Sequence, residues 1–271
     1  IMISIALFCV NYNSYDKLSS FLGAIDHGAT TVSGKAQIDI YIADNSDKNI
    51  QSIKTDMKNC HAKAFEYNSN LGYFGAIGRM MQDIDVKNIY DYTIISNVDL
   101  EIDNDFFIQL LATNVDKNTG WIAPQIYSIA EHRDRNPKIM ERYAEKKLKV
   151  LRLFYKYPLL NALYTATMYK RKKLQSHKDG SVIYAGHGSL IILTKEYFNR
   201  CGIVNYPVFL FGEELYLAEE CRSHHLNVVY SPKIRVVDSE HTSTSKMKKK
   251  FYNKCNIEAI DYILATYYFS K

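Results

Sequence analysis

The sequence predicts an α/β fold built on a largely parallel sheet. Three observations carry that expectation. Strand-like and helix-like segments alternate through the first hundred residues, the pattern of parallel strands joined by helical crossovers. Four of the strand-like runs close on polar side chains: Asn11 and Asn13, Asp44 and Asn45, Asn70, then Asn97 and Asp99. Apolar residues make up 47% of the 271, enough for a substantial core and too many for wholesale disorder.

The elements follow in order. Ile3 to Val10 reads as a buried strand, not a secretion leader, because it lacks a basic start and a cleavage site. Asn13-Ser14 offers a cap for a helix reaching about His27. Gln37 to Ala43 is the second strand, and a helix is expected from about Asn49. Ala62 to Tyr67 is the third strand. "NSNLGYFG" then leads into a helix through Met81, and Tyr92 to Ser96 forms the fourth strand. In such sheets ligands bind beyond the carboxyl ends of the strands, where these polar groups emerge.

Residues 131–180 are rich in Lys and Arg and carry few strand signals. Lys149, Arg152 and Lys156 keep helical spacing, with Leu148, Leu151 and Tyr155 on one side of the stripe and Val150, Leu153 and Tyr157 on the other. Such a stripe suits either an anionic bilayer surface or an ordinary solvated helix face. Short strands return at 189–193, 227–230 and 234–237, and a helix is expected from Lys246. Its Met247, Phe251, Cys255 and Ala259 share one face suited to core packing. The five cysteines are scattered without a CxxC pair, which argues against a zinc knuckle or a disulfide framework and for a reduced compartment. No apolar run reaches the length of a membrane span. The net charge of +5 is mild, its basic residues lie away from the strand ends, and no nucleic-acid-binding motif occurs.

Three positions carry candidate chemistry. Asp99 closes the fourth strand, Glu213-Glu214 stands where "VFLFG" meets a helix, and His241 follows "IRVVDSE". Carboxylate oxygens suit Mg²⁺ or Mn²⁺, and Mn²⁺ also accepts imidazole. Each residue alone fits a solvated loop or a helix start equally well.

Taken together, "FCVNYNS" (8–14), "IADNSD" (42–47), "NSNLGYFGAIG" (68–78), "ISNVDLEI" (95–102), "GHGSLIILTKEYFNRCG" (186–202), "FLFGEELYL" (209–217) and "SPKIRVVDSEHTSTS" (231–245) resemble the GT-A, family-2 glycosyltransferases. The similarity is strongest to the rhamnosyltransferase-like enzymes of bacterial surface polysaccharide synthesis, such as O-antigen and capsule. It implies a Rossmann-like mixed sheet with flanking helices in a single domain over 1–245. Residues 1–103 would bind the nucleotide sugar and 104–245 the acceptor, with a basic helical insertion at 131–180 and a C-terminal amphipathic helix at 246–271.

The resemblance also implies roles. Asn11 and Tyr12 would lie near the nucleotide, Asp44 would accept from the base, and Asn70 and Gly72 would open the loop beside nucleotide and sugar. Asn97-Val98-Asp99 matches the family's Asp-x-Asp position in an Asn-x-Asp form, leaving Asp99 as the metal carboxylate with His241 as its partner. Glu214 would be the catalytic base ahead of Glu213, although the family usually has Asp at that place. The implied reaction is inverting transfer from a nucleotide-diphosphate sugar to a lipid-linked saccharide, at the cytoplasmic face of the membrane. Departures are clear. The family often continues with Asp, Leu and a later Arg, where this chain has Tyr216, Leu217 and Glu220, so the network behind the base must differ. His187 stands where small residues usually line the acceptor cleft; it fits an acceptor contact or a structural imidazole. The competing reading is a catalytically silent module that binds nucleotide sugars or saccharides.

Overall fold

The structure is a computed structural model that describes residues 2–48, 50–67, 69–160, 177–239 and 247–269. Its centre is a mixed sheet of ten strands. β1 (Ile3–Asn11) lies between β2 (Ala36–Asp44) and β4 (Tyr92–Ser96), parallel to both, and β3 (His61–Glu66) extends β2 in parallel. β4 then pairs antiparallel with β9 (Leu190–Thr194), which pairs antiparallel with β6 (Thr119–Ser128). β10 (Asn227–Asp238) runs parallel to β6 and carries β5 (Leu100–Ile102) antiparallel on its far side. Two short strands, β7 (Arg133–Asp134) and β8 (Ser181–Ile183), pair with β6 and β10.

Alternation along β1 explains the layers. Ile5, Leu7 and Cys9 face one apolar cluster with α1 (Tyr15–Ala29) and α4 (Phe106–Ala112). Ala6 and Phe8 face the other, with α2 (Tyr73–Gln82), α6 (Lys195–Cys201), α7 (Glu213–Ser223) and α8 (Lys249–Tyr267). All five side chains from Ile5 to Cys9 are fully buried, as a strand covered on both faces requires. Two further helices are α3 (Val86–Ile89) and α5 (Glu145–Lys156).

Several expectations need correction. No helix follows Asn49: residues 50–57 take no regular structure. Ser52, Thr55 and Asp56 compete with a helical backbone. The Asp26 carboxylate instead takes the N–H groups of Lys58 and Asn59. The two late strands at 227–230 and 234–237 are one, β10, with a register irregularity between Ser231 and Arg235 where Pro232 has no N–H to give. The basic segment 131–180 is helical mainly in α5; its first part forms β7 and loops, and its "YKRKK" lies outside the described residues. Arg152 does not join a solvated stripe, because it forms an ion pair with Asp261 of α8. Ser14 does occupy the N-cap of α1, but its hydroxyl donates back to Tyr12 O, 3.1 Å away, and accepts no N–H from the first turn of the helix.

The face expected on α8 is buried from Cys255 on, through Ala259 and Ile263, but its first two members are not: Met247 precedes the helix and Phe251 is 43% exposed. All five thiols are free, and no helix among the described residues is long and apolar enough to cross a membrane.

Candidate active site

The carboxyl ends of β1, β2 and β4, the start of α2 and the start of α7 share one edge. Parallel register sets Asn11 beside Asp44. Asn11 is fully buried, and its amide donates to Asp44 Oδ1 at 3.1 Å and Ser46 Oγ at 3.2 Å. Asp44 also takes the Tyr15 hydroxyl on Oδ2 at 2.7 Å. Both its oxygens are therefore engaged within the protein, a structural role that the sequence did not show. Tyr12 is 40% exposed, and its hydroxyl reaches Asp47 at 3.3 Å.

The next loop is tied to this edge by Asn45, whose amide donates to Gly72 O at 2.9 Å. Asn70 Oδ1 takes the Gly72 N–H at 3.0 Å, an Asx turn that aims the chain into α2. Gly72 has φ +77°, and a Cβ there would lie 2.1 Å from Phe209 O, so only glycine fits. The Asn45 carbonyl oxygen is buried with no partner among the described residues. Such an orphaned acceptor at a strand end suits an absent ligand donor.

Asn97, Val98 and Asp99 form the tight connection from β4 to β5. Asn97 N–H donates to Ser189 O at 2.8 Å, which ties the turn to the start of β9. Asp99 is half-buried. His241 lies outside the described residues. β10, which precedes it in the chain, ends with Asp238 paired to Leu100, the residue after Asp99.

Glu213 and Glu214 open α7 after two left-handed residues, Phe211 at φ +71° and Gly212 at φ +83°. A Cβ at Gly212 would sit 2.5 Å from Tyr206 Oη and 2.9 Å from Ala259 Cβ. Glu213 is buried, and Phe211 N–H donates to its Oε1 at 3.0 Å. Burial first, and the neighbouring Glu214 charge second, push its carboxyl up to about 8. Glu214 turns the other way and accepts the Gly188 N–H at 3.2 Å. The paired acids thus occupy different environments, a common basis for dividing acid and base roles.

Tyr73 lies within electrostatic reach of several of these groups. Burial raises its phenol well above the ordinary value, and the charges of Glu213, Cys9, Asp99 and Glu214 add to the effect. One side chain therefore feels the strand-end acid and both helix-start acids.

His187 is structural at its Nδ1 side. That nitrogen accepts the Ser189 N–H at 3.2 Å and lies 2.9 Å from Ser189 Oγ, while the His187 N–H donates to Asn136 Oδ1 at 2.7 Å. Burial, then Lys138, Arg135 and Arg133, hold the ring well below the usual histidine range, so it is neutral. Further along α7, Glu219 is fully buried and accepts from Arg142 at 2.6 Å, Arg222 at 2.7 Å and Tyr184 at 2.6 Å. Tyr267 donates to Glu220 at 2.6 Å. This is the altered network anticipated from Tyr216 and Glu220; its Arg and Tyr partners come from distant segments and left no local signal.

Hard oxygen donors at the strand edge suit Mg²⁺ or Mn²⁺. Among the described residues, the one group of three metal-binding side chains with converging ligand atoms lies elsewhere, at Cys201, Glu220 and His224.

A sheet of this order, with an acidic turn after β4 and paired acids opening a helix across the edge, is the GT-A glycosyltransferase fold. Three solved structures carry the likeness. GalNAc-T7 with UDP, GalNAc and Mn²⁺ superposes at TM-score 0.59 and 14% identity, over 97% of this chain and 50% of that one. The mannosyltransferase PcManGT from Pyrobaculum calidifontis, in complex with GDP-Man and Mn²⁺, gives 0.52 and 10%, over 100% and 76%. TarS from S. aureus gives 0.56 and 10%, over 97% and 39%. The chain thus spans half the length of the GalNAc-T7 structure, and at these identities the likeness establishes the fold. No family profile and no curated protein sequence matches the chain.

Proposed function

We propose that the chain is an inverting, metal-dependent glycosyltransferase that moves a sugar from a nucleotide-diphosphate donor to a lipid-linked saccharide in bacterial surface polysaccharide synthesis. The observation that carries the reading is the sheet order, which sets the half-buried Asp99 in the turn after β4 and Glu214 against Gly188 just before β9, the strand paired with β4. Asn11, Tyr12, Asp44 and Asn70 with Gly72 would shape the nucleotide end of the cleft, and Asn97 would support the turn. Asp99, with His241, would hold Mg²⁺ or Mn²⁺, which offsets charge on a leaving diphosphate.

Glu214 is the proposed base. Glu213 is held protonated near neutral pH, so it is the poorer proton acceptor of the pair. The acceptor hydroxyl attacks the anomeric carbon and passes its proton to Glu214. A new C–O bond forms as the bond to the diphosphate breaks, and the leaving oxygen keeps the electron pair. Attack opposite the leaving group inverts the centre. Residues 1–103 and 104–245 would divide donor from acceptor binding within one domain, with 246–271 packed behind.

The outer face of α5 supports a peripheral place on the inner face of the plasma membrane. Val150 and Leu153 on α5, and Tyr157 and Leu160 just beyond its end, are 43–47% exposed, near Lys146, Lys149 and Lys156. Apolar side chains flanked by snorkelling lysines suit an anionic bilayer.

The test is a thermal-shift screen of nucleoside diphosphates and nucleotide sugars with and without Mn²⁺. A ligand at a hundred times its Kd adds about 2.7 kcal/mol of stability. Asp99→Asn should abolish the Mn²⁺-dependent part and the transfer reaction. If no nucleotide raises Tm, the reading fails; binding without turnover onto lipid-linked acceptor would instead leave a silent binding module.

A further inference from the structure

Tyr73 is the polar group at the centre of this edge that the proposed chemistry leaves unassigned. It is the first residue of α2 and follows directly on Gly72, whose backbone is fixed from both sides. Its hydroxyl is closed off from solvent and has no hydrogen-bond partner among the described residues. A phenol in that state has given up its bonds to water and gained none in return. The ring does not need the oxygen: Phe74, next along the helix and 5.5 Å away between centroids, is buried without one.

The surroundings make the vacancy more pointed. Glu213, Asp99 and Glu214 all lie within electrostatic range of the oxygen, yet none accepts its proton. With burial and negative neighbours both opposing ionisation, the phenol remains a neutral donor. It is a donor held in an acidic pocket and left free.

Position decides what it serves. In the proposed reaction the leaving diphosphate lies on the Asp99 side and the attacking hydroxyl on the Glu214 side. The transferred sugar must lie between them. The start of α2 is bonded on one side to Asn45 at the strand edge and packs on the other against Phe209 of the loop before Glu213, which puts Tyr73 beside the sugar, whereas the nucleoside end of the cleft would be built from Asn11, Tyr12 and Asp44.

We propose that Tyr73 is a positioning residue whose hydroxyl donates a hydrogen bond to an oxygen of the transferred sugar in the loaded enzyme. This rests on the glycosyltransferase reading. It adds a specificity element at the start of α2 that acts on the sugar and not on the nucleotide.

Tyr73→Phe removes the oxygen and keeps the ring. Two measurements test the proposal. The first is the melting temperature of the unliganded protein, which should rise by about 2 °C as the orphaned hydroxyl is lost. A fall of that size would mean that the hydroxyl makes a structural bond, and would overturn the proposal whatever the ligand does. The second is affinity in the presence of Mn²⁺, for the nucleotide sugar selected by the screen above and for its bare nucleoside diphosphate. The variant should bind the nucleotide sugar about 5- to 10-fold more weakly and the diphosphate less than twofold more weakly. Equal weakening of both would place the contact on the diphosphate and overturn the assignment to the sugar. Unchanged affinity for both would overturn it entirely. If the wild type binds no nucleotide sugar, the glycosyltransferase reading itself has failed, an outcome visible before the variant is made.

Discussion

Glu213→Gln probes the claim that the pair at the start of α7 is split by environment. The substitution keeps shape, and a glutamine oxygen can still accept the Phe211 N–H that now reaches Oε1 at 3.0 Å. The native carboxyl stays protonated up to about pH 8, against an ordinary value of 4.5. Between those limits the folded state holds a proton on this group that the unfolded chain does not, so the contribution of Glu213 to stability is fully present below about pH 4.5 and is lost as pH rises towards 8. At about 1.4 kcal/mol per pH unit the full effect is about 5 kcal/mol, an upper bound because the buried site relaxes around the charge. The glutamine variant has no such ionisation. From pH 5 to pH 9, at constant ionic strength, the wild type should lose about 2–5 kcal/mol relative to it. That corresponds to about 5–10 °C in the gap between their melting temperatures, read by circular dichroism or dye binding. Glu214→Gln should flatten the wild-type slope in part, since the Glu214 charge is the second cause of the shift. Melting curves of wild type and Glu213→Gln that stay parallel within about 1 °C across this range would refute the split, and with it the preference for Glu214 as base.

Three further outcomes are expected. Gly72→Ala places a methyl 2.1 Å from Phe209 O at a left-handed φ, and should cost about 3 kcal/mol or more in urea unfolding. Arg142→Ala removes one of three donors to the buried Glu219; because Arg142 is 34% exposed and Arg222 and Tyr184 remain, the loss should be about 2 kcal/mol. The double change Val150→Glu, Leu153→Glu alters only exposed positions, so Tm should stay within about 2 °C while flotation with anionic vesicles at low salt is lost. Equal flotation of both proteins, or of neither, would remove the membrane face.

What the sequence disclosed follows from where each signal resides. Strand periods and the polar residues that close them are local, so β1 to β4 and their common edge were legible from spacing alone. Asp99 and the glutamate pair were legible because a carboxylate beside an apolar run is costly without a purpose. Other features depend on partners far away in the chain. The exchange between Asn11 and Asp44 needs parallel register, and the Glu219 cluster needs Arg142 and Tyr184. Tyr73 looked like an ordinary helix residue, because an unmade hydrogen bond leaves no pattern in a sequence. The helix expected after Asn49 failed for a related reason: the backbone there is held by Asp26 of α1.

The helix-start acids depend in turn on α8, which packs across the loop that presents them. Phe211 keeps a left-handed backbone that costs a non-glycine residue about 1–2 kcal/mol. Its ring stands 4.9 Å from that of Tyr252, and its carbonyl takes the Tyr206 hydroxyl at 2.7 Å. Gly212 then passes so close to Tyr206 and Ala259 that no side chain fits. The strained pair is thus held by three separate contacts, two of them from α8, and it fixes the direction in which α7 begins. That direction sends Glu213 inward, where burial keeps its proton, and Glu214 towards Gly188 and the cleft. The different environments of two adjacent glutamates are therefore set by the backbone before them, and the helix that enforces that backbone lies about forty residues further along the chain.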